Sequence, residues 1–133
     1  MKYLLDTHSL SNNVVRGKTN RDDLTVLQDV ADEFIYSQSD SVALQNSGIK
    51  FLFPERRHYL KLKEVLSKHG DNLKLIRLYT REGTADVMML AYVLEEMNSS
   101  EKLFSEEYCL VTQDKELIKI AQEYGIKTVA KIS

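Results

Sequence analysis

The alternation of short apolar runs with segments of helical period is what most restricts the folds open to this chain. Five runs read as strands: Lys2–Leu5, Leu24–Leu27, Ile49–Phe53, Tyr108–Thr112 and Ile126–Ala130. Each is apolar or β-branched, too short for a stable helix, and bounded on at least one side by a charge, a glycine or a proline. Between them the period becomes helical. Gln28–Tyr36 sets Val30, Ala31 and Phe34 on one face, and Glu55–Lys68 gathers Tyr59, Leu62, Val65 and Leu66 opposite a basic side. Asp114–Tyr124 turns Leu117, Ile118 and Ala121 inward, with Gly125 placed as its C-terminal cap. Thr84–Met97 is apolar nearly all round, the pattern of a helix buried in the middle of a domain. Strands alternating with helices imply an α/β fold whose parallel sheet is covered on both faces. The stretch Leu73–Tyr79 reads equally as a sixth strand or as helix.

A chain of 133 residues is the size of one ordinary domain, so residues 1–133 are expected to form a single unit. No apolar stretch approaches the roughly 20 residues of a membrane span, and the run before Asp6 is too short for a signal peptide. A cytoplasmic location without a membrane partner is the expectation. The one cysteine, Cys109, sits in an apolar run and is expected to be buried rather than catalytic. A net charge of −2 supplies no global basic field, so any nucleic acid must be held by local patches.

Ligands of open parallel sheets bind beyond the carboxyl ends of the strands. That rule turns sequence position into spatial position. Asp6 directly follows the first strand, and Asp114 follows the fourth. Glu33 lies a turn and a half into the helix after the second strand, and Asp86 opens the buried helix. Four carboxylates therefore project toward one end of the sheet. So placed, they repel one another unless a cation neutralises them or protons are retained. Oxygen ligands suit a hard divalent ion, Mg²⁺ or Mn²⁺, which can activate a water and stabilise charge on a phosphodiester. No Cys/His pattern for zinc is present. Gly17-Lys18-Thr19 lacks the upstream glycine of a phosphate-binding loop, since position 12 is Asn12.

The opening Leu4-Leu5-Asp6-Thr7 resembles the start of PIN domains, where a short apolar strand runs into an Asp-Thr pair. Val30-Ala31-Asp32-Glu33 is similar to the family's glutamate-bearing segment, and Gly83-Thr84-Ala85-Asp86 to the start of its central helix. Leu110-Val111-Thr112-Gln113-Asp114, followed by Gly125-Ile126, resembles its closing strand–helix–strand unit. The resemblance implies a three-layer α/β/α fold with strand order 3-2-1-4-5. It also implies Asp6, Glu33, Asp86 and Asp114 as metal ligands, Thr112 as a supporting hydroxyl, and Mg²⁺- or Mn²⁺-dependent cleavage of RNA. Many small members of the family are toxins held by an antitoxin, and dimers are common, so both partners are implied. Residues Ser37–Gly48 and Lys68–Glu82 match no pattern, and Asp40 rivals Glu33 as the second acid.

The basic stretch from Pro54 to Lys68 offers Arg56, Arg57 and Lys61 to RNA phosphates, with a tyrosine for stacking. Such a run is also an ordinary solvated helix face, on which His58 and His69 are expected to be solvated. His8 reads as a partly exposed helix residue. Each acid has a structural reading too: Asp6 and Asp114 suit helix caps, and Asp86 suits a first turn. Two further functions fit the pattern less well. One is a PIN-like module that binds RNA or protein without cutting. The other is a phosphoryl-transfer protein using Asp6, which lacks a second acid beside it.

Overall fold

The computed structural model describes residues 1–15, 23–72, 75–76, 84–98 and 107–132. Five parallel strands form one sheet: β1 (Lys2–Leu5), β2 (Leu24–Leu27), β3 (Lys50–Leu52), β4 (Tyr108–Val111) and β5 (Lys127–Val129). Their order is β3-β2-β1-β4-β5, all neighbours parallel. Six described helices flank the sheet: α1 (Thr7–Val15), α2 (Gln28–Phe34), α3 (Gln38–Asn46), α4 (Arg56–Lys68), α5 (Thr84–Met97) and α6 (Lys115–Glu123). This is the three-layer α/β architecture and strand order that the sequence leads one to expect.

The central strands explain why their runs are so uniformly apolar. Leu4, Leu5, Val26, Leu27, Leu110 and Val111 are all fully buried, because a parallel sheet covered by helices has no wet face. Each such side chain contributes roughly 1.5–3 kcal/mol by leaving water. Helix α5 completes the core: Val87, Met88, Met89, Leu90, Ala91 and Val93 are buried around its whole circumference. Cys109 is buried as expected, and burial pushes its thiol pKa up, which leaves it a packing group. Helix α6 ends in a Schellman motif. Gly125 takes φ +76°, its N–H donates to Gln122 O at 3.0 Å, and the Ile126 N–H donates to Ala121 O at 2.9 Å.

Several expectations are corrected. The third and fifth strands are shorter than their runs, and both lie at sheet edges with a single neighbour each. The fourth ends at Val111 rather than Thr112, whose hydroxyl turns to accept the Asp114 N–H in the loop that follows. The helix after β2 stops at Phe34 rather than Tyr36, and Glu55 and Asp114 precede their helices instead of opening them. Residues 38–46, which show no clear pattern, are α3, started by Ser37 Oγ accepting from the Asp40 N–H at 3.2 Å. His58 is not solvated. It is 1% exposed, its Nδ1 accepts from the Glu55 N–H at 2.8 Å, its Nε2 lies 2.7 Å from Glu96, and its ring stacks on Tyr92. His69 is likewise engaged, with Nε2 2.9 Å from the Tyr124 hydroxyl. Of Leu73–Tyr79 only Leu75 and Ile76 are described, and they are helical; the rest lies outside the described residues, as do Gly17–Thr19.

Candidate active site

The register of β1 and β4 sets the floor of the site. Leu5 pairs with Val111, so Asp6 and Thr112 leave the sheet side by side. The Asp6 N–H donates to Val111 O at 3.2 Å, carrying the ladder one residue beyond the strand. Ser9 then ties the Asp6 carboxylate to the end of β4. Its N–H donates to Asp6 Oδ1 at 2.8 Å, and its hydroxyl donates to Val111 O at 3.1 Å. Asp6 is therefore the cap of α1, which starts at Thr7, and is 5% exposed. Asp114 repeats the arrangement at α6, with Oδ1 accepting from the Leu117 N–H at 2.8 Å. Thr112, fully buried, accepts the Asp114 N–H on its Oγ1 at 3.1 Å, which holds the turn between strand and helix.

Glu33 reaches across from α2. Its Oε2 accepts from the Thr7 hydroxyl at 3.2 Å and its Oε1 from the Ala85 N–H at 3.4 Å. This single side chain ties α2 to the first turns of α1 and α5. Asp86, in the first turn of α5, accepts from the Thr7 backbone N–H, but its Oδ1 is buried with no hydrogen-bond partner among the described residues. Burial, then the charges of Asp6, Glu33 and Asp114, raise the Asp86 pKa from its ordinary 3.8 to about 7. Asp40 is absent from that set of charges. It sits instead in the first turn of α3 and accepts from the Tyr36 N–H at 3.0 Å. The four acids expected from the sequence are thus brought into one electrostatic group around Asp86, which includes Glu33 and not Asp40, although Asp40 lines the same groove.

Coupling of charges extends over several ångströms, whereas coordination requires contact at about 2.0–2.6 Å. Among the described residues no three His, Cys, Asp or Glu side chains are disposed, as they stand, to hold a metal ion. Asp6 and Asp114 each turn one oxygen back to cap a helix, and both oxygens of Glu33 are engaged. Asp86 carries a fully buried oxygen with no partner among the described residues. Asp6, Glu33 and Asp86 line an open groove of about 780 Å³, with Asp40 and Tyr36 farther along its wall and His8 at its exposed side.

The basic face of α4 is largely engaged within the protein. Arg57 pairs with Glu96 at 2.8 Å and Glu55 at 3.1 Å, Lys61 with Glu64 at 3.2 Å, and Lys68 lies over the Tyr124 ring. Arg56 is exposed and makes no ion pair among the described residues. Two contributors to the site escape a reading built on acids alone. Thr7 serves both Glu33 and Asp86, and Ser9 anchors Asp6. The signal for Ser9 is its spacing, three residues after a capping aspartate. No protein-family model matches the chain, and no curated protein matches it.

Proposed function

We propose that this protein is a metal-dependent nuclease of the PIN type, hydrolysing phosphodiester bonds in RNA. The observation that carries the reading is the buried, unpartnered Oδ1 of Asp86 among three further carboxylates. A fold gains nothing from that arrangement, because capping and dipole effects do not require four acids at one sheet edge. A cation of charge two offsets the repulsion and satisfies the free oxygen. Asp6, Glu33, Asp86 and Asp114 would hold Mg²⁺ or Mn²⁺, directly or through water. When bound, such an ion lowers the pKa of a coordinated water and stabilises charge on a phosphodiester.

The chain's own residues define the rest. Asp6 and Asp114 are fixed by the helix N-termini they cap, so their positions are set before any substrate arrives. Thr112 positions Asp114, Ser9 positions Asp6, and Thr7 holds Glu33 in place. Among the described residues no serine, cysteine or histidine in the groove is hydrogen-bonded to a carboxylate, which favours direct attack by water over a covalent intermediate. A protein antitoxin and a dimer remain part of the proposal through the PIN resemblance alone. No helix among the described residues is long and apolar enough to cross a membrane.

The test is cleavage of a mixed structured RNA with Mg²⁺ or Mn²⁺ against EDTA, using wild type, Asp6→Asn and Asp86→Asn. Asparagine preserves the cap at position 6, so lost activity there is not lost folding. Metal-dependent cutting by wild type alone supports the nuclease. Equal cutting by all three would mean contamination, and binding by all three without cutting would favour the binding module.

A further inference from the structure

Two exposed aromatic rings border the depressions that the carboxylates line. Tyr36 is 91% exposed and Phe53 66%. Tyr36 borders the groove that holds Asp6 and Asp86. Phe53 borders an adjoining depression of about 450 Å³, walled also by Pro54 and Tyr59. The two depressions share Asp32 and Glu33, so each ring borders a depression that Glu33 also lines. Each depression is of a size that takes a small planar group. Neither ring is held by a stacking partner among the described residues, and Tyr59, on α4, is tied to Asp29 at 3.1 and 3.2 Å.

Among the described residues Arg57 and Lys61 are committed to carboxylates, while Arg56, three residues after Phe53, is exposed and makes no ion pair. A strand laid across an acidic groove gains from contacts that do not depend on phosphate charge. Base stacking is such a contact, because every base has a π-face. We infer that Phe53 and Tyr36 are base-stacking residues that splay an unpaired RNA strand across the carboxylate site, with Arg56 on a flanking phosphate. This rests on the nuclease reading, which it deepens. Paired bases have no free faces to offer the rings, so duplex RNA is excluded by the same geometry.

The experiment compares a short unpaired oligoribonucleotide carrying 2-aminopurine with the same strand in a duplex, in Mg²⁺. Wild type, Phe53→Ala, Tyr36→Ala, Phe53→Tyr and Tyr36→Phe are measured for kcat, KM and 2-aminopurine quenching. Both side chains are largely in solvent, so all variants are expected to melt with wild type. The expected result is a rise of about tenfold in KM for each alanine variant, with kcat within about twofold. Quenching is expected to fall in the alanine variants and return in the aromatic ones. If wild type cuts RNA while the alanine variants keep its KM and quenching, the stacking role is refuted, the nuclease stands, and the rings serve a protein partner. If quenching depends on the rings but nothing is cut, stacking stands and the nuclease reading fails. If wild type neither binds nor cuts the unpaired strand, both fall.

Discussion

Replacing Asp86 by asparagine is expected to stabilise the metal-free protein while abolishing its chemistry. In the folded chain this carboxyl titrates at about 7 instead of its ordinary 3.8, chiefly through burial and then through Asp6, Glu33 and Asp114. Roughly three pKa units at about 1.4 kcal/mol each give a penalty of about 4 kcal/mol for ionising it in the fold. The sign follows from proton binding. Between the two pKa values the folded state holds the proton more tightly than the unfolded state. Stability from this group is therefore full below about pH 4, declines as pH rises, and is lost above about pH 7. Asparagine keeps the polar atom buried but removes the charge, so the gain at pH 8 is on the order of 2–4 kcal/mol. That corresponds to a rise of roughly 5–15 °C in Tm for a domain of this size. The assay is urea unfolding of wild type and Asp86→Asn in EDTA at pH 5 and pH 8. The advantage of the variant should shrink to less than half at pH 5, and saturating Mg²⁺ or Mn²⁺ should stabilise wild type more than the variant. Equal stability at pH 8, or an advantage that ignores pH, would refute the idea that crowded charge is the cause.

Glu33→Gln should remove cleavage and lower the Asp86 pKa, readable by carboxyl NMR, whereas Asp40→Asn should leave both unchanged because Asp40 does not act on Asp86. Thr112→Val leaves the half-buried Asp114 N–H without its acceptor and should cost about 1 kcal/mol in chemical denaturation, with Thr112→Ser restoring most of it. Gly125→Ala should cost about 1–2 kcal/mol, measured the same way. No atom lies within 4 Å of the added methyl group, so the cost is entirely that of the positive φ.

The sheet was legible because buried parallel strands read as unbroken apolar runs, and Thr84–Met97 because a helix buried all round has no polar face. Helix α3 was not, since only Leu44 of its nine residues is buried and no periodic stripe results; its Ser37 cap was the available clue. The edge strands were overestimated because sequence shows apolar residues, not the number of neighbouring strands. The positions of Asp6, Asp86 and Asp114 followed from the rule of strand ends. The surroundings of His58 did not: Glu96 lies 38 residues away, and nothing local marks a histidine as the partner of a remote glutamate. The raised Asp86 pKa is equally a property of distant residues brought together.

The double duty of Asp6 and Asp114 has a consequence for how this chain drifts under mutation. Both acids start helices, so selection for a stable fold alone retains them in a descendant that has stopped cutting. Asp86 has no such shelter. On the nuclease reading proposed above, replacing it is favoured by the fold itself once cutting is no longer selected. On that reading the identity of residue 86, rather than the more conspicuous aspartates at 6 and 114, is what would separate a working catalyst from its inert descendants.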